Sequence, residues 1–437
     1  FVTDPATTLR TRRKLPHHSV VLAGIATALS LMGDQAMYVI LPTCYDTLLA
    51  PISFTVPFEW TLSPALQVGI LLSANRWIRM FTNHVAEWLV HHFHPTLLFV
   101  GMLGLGAATT ASYGVWPFFW VLLIARCGWG LCWSIIRQVG IMTAVDASTR
   151  QHAAAMVGFY NGLARFGSVV AMLIGGWLFD AVEWRYCFWI IAGVTALGMF
   201  PAAIARRKIN HHESEFRLQR DMAVPAKTLW PLLICGFVVG SAGAGVVAST
   251  MGKILKEGIG ESLSLGQMTI GVATLTGVFL AGRHAINTFG GPALGALADR
   301  LGHQRSIYAF FGVGVVILVA MLGLSFFITQ GAVMLVFLVL AMLFFSCCTL
   351  LSVTMNAEVS RCGSKAYARY VSAEDGGSAA GPLLGWALVA VNEHPAVPFT
   401  CALGFFIVGV IVAFGRLARH EKTLPDGWET HKAVKHA

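Results

Sequence analysis

The sequence predicts an all-α membrane protein: twelve transmembrane helices in two pseudo-symmetric six-helix halves, with both termini in the cytoplasm. Three observations predict it. First, the 437 residues are 56% hydrophobic and only 12% charged, about half the charged fraction of a soluble domain. Second, the apolar residues form continuous runs near the length a bilayer demands rather than alternating ones, which excludes a barrel. Third, the cations that give a net charge of +9 collect in every second connection between runs, the positive-inside pattern. That distribution argues against nucleic acid as the reason for the basic balance.

The spans are expected at 20–41, 66–90, 96–115, 118–143, 153–179 and 186–205, then 229–251, 268–297, 307–328, 333–355, 367–391 and 399–417. The basic arm Arg10-Thr-Arg-Arg-Lys14 before the first run resembles a secretory signal, but the run continues past Asp34 to Leu41 without a cleavage site, so it is a span. Cations crowd the arm, the segment Arg206–Lys227 and the turns at Arg300, Arg305, Arg361 and Lys365. The alternate loops are nearly free of them, with Arg185, Lys253 and Lys256 as exceptions. The expected organisation is an arm at 1–17, a bundle at 18–205, a cytoplasmic linker at 206–227, a second bundle at 228–418 and a cytoplasmic tail at 419–437. The nine cysteines lie in or beside apolar runs and read as small buried hydrophobes, not a disulfide frame.

An internal repeat supports the division. At an offset of 208, Asn75 falls on Arg283, Arg79 on Asn287 and Leu89 on Leu297; at 209, Gly176-Trp177 falls on Gly385-Trp386. After the eighth run stands Gly295-x-Leu297-Ala298-Asp299-Arg300-x-Gly302-x-x-Arg305. This resembles the loop signature of the major facilitator superfamily of secondary transporters, G-x-L-A-D-R-x-G-x-x-R. Its twin in the first half has become His-His-Phe-His, with His91 at the place of Asp299. The resemblance implies the major facilitator fold, alternating access, and a conformational latch formed by Gly295, Asp299, Arg300 and Arg305. Asp299 is expected to cap the fifth span near Ser148-Thr149-Arg150, because a carboxylate favours a helix start. Arg126-x-x-x-Gly130 resembles a second family signature, which implies that Arg126 lies near the central cavity and influences Asp34. The glycine–proline kink of family antiporters is absent from the fifth span, where Ala171-Met172 stands, but Gly381-Pro382 occurs at the twin position. The run Ser73-Ala-Asn-Arg-x-x-Arg-x-x-x-Asn83 faintly resembles a subgroup associated with metal-chelate or siderophore traffic.

Ionisable groups inside a bilayer are costly and face a cavity or a partner. Asp34 lies deep in the first span with Tyr38 one turn on; it reads either as a proton site or substrate ligand, or as half of a fixed ion pair. Glu374 and Asp375 precede Pro382. Adjacent residues diverge by about 100°, so at most one is expected to face the cavity, with the other paired to Arg283 or Arg369. Asp34, Glu374 and Asp375 are therefore the proton-coupling candidates. Arg76 and Arg79 share a stripe, and Arg283 and Asn287 mirror it across the repeat. With Tyr38, Asn75, Arg126 and Arg165 they form the expected substrate site. More buried arginine than carboxylate points to an anionic substrate.

His91-His92-x-His94 has metal-ligand residue types but reads as a cytoplasmic turn, so no metal is expected. No G-x-x-x-x-G-K-[ST] occurs, and neither a cofactor nor nucleic acid is expected. The leading expectation is a proton-coupled transporter of a small organic anion, tilted to import, acting as a monomer in the bacterial inner membrane. The alternatives are an exporter of drugs, metabolites or metal chelates by proton antiport, and a receptor or scaffold that moves nothing. No nucleophile–base or metal constellation supports an enzyme.

Overall fold

The computed structural model describes residues 17–54, 60–148, 153–206, 226–265, 268–360, 362 and 364–417. The arm before residue 17, nearly all of the linker and the tail beyond 417 lie outside the described residues, as do Thr149, Arg150 and the side chain of His91. In hydrocarbon the backbone must satisfy its own hydrogen bonds, so the apolar runs fold as helices. We number them by span: α1 His18–Leu48, α2 Pro64–His92, α3 Pro95–Val115, α4 Phe119–Asp146 and α5 Ala153–Ala181, with α6 Trp184–Ala205 closing the first half. The second half comprises α7 Leu229–Ile259, α8 over 272–301, α9 His303–Leu324, α10 Gly331–Ser360, α11 Ser364–Val391 and α12 Ala396–Val412. Nine of these are long and apolar enough to cross a membrane by composition alone. The other three, α2, α8 and α11, hold most of the charges singled out above.

Local chemistry sets several ends. Ser63 caps α2 by accepting from the Leu66 N–H at 3.3 Å, and Pro64 occupies the first helical position. Gly260 and Gly302, with φ of 85° and 84°, end α7 and α8 in the left-handed region that favours glycine. No disulfide links the cysteines among the described residues.

The described residues are overwhelmingly helical, as expected, with two short exceptions. Two outer connections fold as antiparallel hairpins: β1 Ile52–Phe54 with β2 Trp60–Leu62, and β3 Ser262–Leu265 with β4 Met268–Gly271. The eighth helix therefore starts at Val272, not 268. Ser264 and Thr269 interrupt the apolar pattern there and pair across the hairpin. Both hairpins follow the first helix of their half, and α1 and α7 are each 31 residues long.

Within each half the helices approach through small residues. On α11, Gly377, Gly381 and Gly385 face α7: a Cβ on Gly377 would meet the Phe237 carbonyl, and one on Gly381 would meet the Ser241 carbonyl and Gly245. The α7 stretch opposite, Gly240–Val247, is wound as a π-helix. In the first half, Gly167 and Gly175 of α5 press on Ala28 and Ala36 of α1, and Ala171 between them is fully buried. The glycine–proline signature of α11 and its Ala171-Met172 counterpart thus occupy equivalent close-packed seams.

Contacts between the halves gather on the outer side. Gly252 of α7 packs on Pro42 and Thr43, Gly69 of α2 on Pro382 and Trp386, and Gly176 of α5 on Ala273 of α8. The Lys256 ammonium bonds both Asp46 oxygens at 3.1 Å, which accounts for one of the cations that broke the charge pattern. Lys253 is also neutralised, by Glu257, and donates to the Glu393 carbonyl at 2.7 Å. Replacing Gly381 by valine should overpack the α7–α11 seam at a cost of about 1–3 kcal/mol. Gly193→Val, at a lipid-facing site with nothing within 4 Å of the added Cβ, should be neutral. Thermal unfolding in detergent compares the two.

Candidate substrate cavity

Charge has to be neutralised where water is scarce, and the halves solve this differently. In the first half Asp34 is buried where α1, α2 and α4 meet. Its Oδ1 accepts from Arg126 Nη1 at 2.5 Å and from Asn75 Nδ2 at 2.8 Å, and its Oδ2 from Gln35 at 3.0 Å. Arg126 also donates from Nε to the Leu71 carbonyl at 2.9 Å. The tight α2–α4 approach needs Gly130, where a Cβ would come within 2.6 Å of the Asn75 carbonyl. Tyr38 lies beside this pair. Its hydroxyl donates to Leu72 O at 2.8 Å and accepts from Arg76 Nε at 3.0 Å. The guanidinium groups of Arg76 and Arg126 lie 5.5 and 5.6 Å from its ring centroid.

Between the halves lie two adjoining chambers of about 370 and 300 Å³ that share Arg76, Arg165 and Ser168. The larger is bounded by Arg283, Asn287, Glu374 and Asp375. The smaller adds Asp34, Asn75, Arg79 and Arg137 and reaches Tyr367, near the cytoplasmic start of α11. With the outer side packed, the space faces inward.

Several expectations change here. Arg126 is fully buried and Tyr38 is 5% exposed, so neither lines the chambers; they stand behind the wall, locked to Asp34 and to α2. Glu374 and Asp375 both line the cavity, because it wraps around α11. Glu374 takes a hydrogen bond from Ser352 of α10 and lies within electrostatic reach of Arg165. Asp375 lines the larger chamber together with Arg76. Neither carboxylate pairs with Arg283 or Arg369. Asn287 accepts from the Thr349 hydroxyl, and Arg283 lies over the Phe345 ring at 5.2 Å. Among the described residues Arg76, Arg79, Arg165 and Arg283 make no ion pair.

The latch residues sit apart. Asp299 is 71% exposed at its side chain and bonds His303 at 2.7 Å; His303 bonds Glu358 of α10 at 2.6 Å. Arg300 and Arg305 are exposed, and Gly295 packs on Val353. The expected neighbours Thr149 and Arg150 lie outside the described residues. With the inner side open, the Asp299 carboxylate is held within its own half.

The profile of the Major Facilitator Superfamily matches residues 23–363. The chain belongs to the major facilitator superfamily. It is a multi-pass membrane transporter of that fold. Similar solved structures include a bacterial homologue of the human lysosomal transporter Spinster, inward-facing and occupied, at TM-score 0.70 and 14% identity over 91% of this chain and 96% of that one. A point mutant of the nucleoside transporter NupG aligns at 0.67 and 11% over 92% and 99%. A bacterial homologue of the iron transporter ferroportin, inward-facing, aligns at 0.62 and 15% over 91% and 98%. No curated protein sequence matches the chain.

In this major facilitator chain the signals that sequence inspection passed over are apolar or backbone ones. Phe345 was one aromatic in an apolar run. The π-helical turns Gly240–Val247 of α7 and Ile286–Gly290 of α8 border the cavity with Gly240 and Asn287, as such turns commonly do at functional sites; a glycine-rich Gly-Ser-Ala-Gly-Ala-Gly run was the visible trace of the first. The two kinds of arginine predict opposite behaviour. Arg126→Leu strands the buried Asp34 and should destabilise the protein by about 3–5 kcal/mol. Arg283→Leu removes a charge that has no carboxylate partner, so stability should hold or rise. Melting temperatures of the two variants measure the contrast.

Proposed function

We propose that the protein imports a small hydrophilic organic anion together with a proton, by alternating access, as a monomer in the bacterial inner membrane. The carrying observation is Arg283. It faces the cavity, stacks on Phe345, and makes no ion pair among the described residues. An anionic group completes it, and a planar guanidinium suits a carboxylate or phosphate bidentately. Across both chambers five arginines, Arg76, Arg79, Arg137, Arg165 and Arg283, face Glu374 and Asp375 once Asp34 is assigned to Arg126. The balance favours a negative solute.

The wall of the larger chamber supports a hydroxylated acid rather than a lipophilic drug. Ser168, Asn287, Thr349, Ser352, Asn356 and Ser378 offer hydrogen bonds, and the face of Phe345 is taken by Arg283. Coupling follows from competition. Glu374 acts on Arg165, and Asp375 on Arg76 and Arg79. A proton on Glu374 frees Arg165 to join Arg283 on the solute, which bridges the halves. Asp34, held by three donors, tunes Arg126 and, through Tyr38, Arg76. The chemistry is displacement of charge partners, with no bond made or broken in the solute.

Uptake of short hydroxycarboxylates into proteoliposomes, with and without an inward proton gradient, tests this. Wild type should accumulate solute only with the gradient. Arg283→Gln should raise KM about 10–100-fold, the worth of one or two charge-assisted hydrogen bonds. Glu374→Gln should retain exchange of solute for solute but lose the response to the gradient. Gradient-driven uptake that survives in Glu374→Gln and Asp34→Asn together contradicts the proton assignment.

A further inference from the structure

The closed outer face depends on a contact that every transport cycle has to break. Asp180, in the last turn of α5, reaches across to the first turn of α8 in the other half. Its Oδ2 accepts from the Thr274 backbone N–H at 2.7 Å and from the Thr274 hydroxyl at 2.5 Å. Thr274 is the third residue of α8, so its N–H is one of the donors that a helix start leaves unpaired. A carboxylate there caps the helix and meets the positive end of its dipole. Gly271, the residue before α8, carries no side chain, and a Cβ on it would run into the Asp180 carboxylate. One turn further, Gly176 and Gly277 bring α5 and α8 backbones together at the Ala273 and Met172 carbonyls.

The same helix changes partners below this point. Its upper segment Val272–Ala285 packs on α5 of the first half, while its lower segment Gly291–Leu301 packs on α10 of its own half. The π-turn Ile286–Gly290 joins them. The inner signature carboxylate, Asp299, is bonded to His303. Among the described residues, Asp180 is the carboxylate seen to cap a helix of the opposite half.

We propose that Asp180 is the latch of the outer gate: it caps α8 across the interface between the halves, and the outward-facing state forms when that cap is broken. The proposal depends on neither the solute nor the coupling ion. The native Cys348 lines the cavity and reports access to it. Right-side-out vesicles holding the full chain are treated with a membrane-impermeant maleimide, and labelling is read at Cys348 by peptide mapping. Cys235, fully buried, labels only if the protein unfolds and identifies a misfolded variant. Asp180→Ala and Gly271→Ala should each raise outside labelling of Cys348 by roughly fivefold, the factor for a cap worth about 1 kcal/mol. Thr274→Val, which removes only the hydroxyl partner, should give a smaller rise. Labelling unchanged from wild type in the variants that keep Cys235 protected overturns the proposal.

Discussion

The ion pair of Asp34 and Arg126 is the fixed point of the first half. Both groups are taken out of water, and breaking such a pair by removing one partner costs about 3–5 kcal/mol. The pair consequently determines how α1, α2 and α4 stand against one another, with Asn75 and Leu71 of α2 completing its hydrogen bonds and Gly130 permitting the approach. Tyr38 transmits that arrangement to the cavity by holding Arg76. Once Arg126 is satisfied, the remaining arginines become informative. They face the space between the halves without ion-pair partners among the described residues, which is costly in a membrane protein unless a solute supplies the charge.

The second half is built on backbone proximity instead. Glycines on α11 and α7 interlock where the first half uses Gly167, Ala171 and Gly175, and the α7 stretch at that seam is a π-turn, with a second π-turn in α8. Those turns border the cavity, so the polar groups of the solute wall and the deformable parts of the helices coincide. A solute bridging Arg165 and Arg283 would act at the joint of α8, between a segment bound to the first half and a segment bound to the second. Motion and binding thereby share one helix.

Much of this was legible in the sequence. Continuous apolar runs predict the helices, because the bilayer leaves few alternatives, and alternating cations give the expected orientation. The repeat placed the stripe of Arg76 and Arg79 opposite that of Arg283 and Asn287, and Arg76, Arg283 and Asn287 line the larger chamber. The loop signature indicated the family. What stayed hidden was the side chains' choice of partner. A helical wheel places Glu374 and Asp375 on different faces, but not that the cavity wraps both. The resemblance of Arg126-x-x-x-Gly130 to a family signature put Arg126 near Asp34 without revealing that Arg126 is fully buried behind the cavity wall while Asp34 borders the smaller chamber. Lys253 has Glu257 one helical turn on, a pair the sequence already offers, whereas the Asp46 partner of Lys256 becomes visible only after folding. Phe345 and the π-turns belong to apolar stretches in which one residue looks much like another.

The account rests on Arg283 being completed by the solute. The most direct measurement is a cryo-electron microscopy structure of the protein with a transported hydroxycarboxylate in the cavity. The account predicts density for the acid group within hydrogen-bond distance of the Arg283 guanidinium, still stacked on Phe345, with the hydroxyls turned to the Asn287 and Thr349 wall. Density placed against Glu374 and Asp375, with Arg283 left uncontacted, would contradict it.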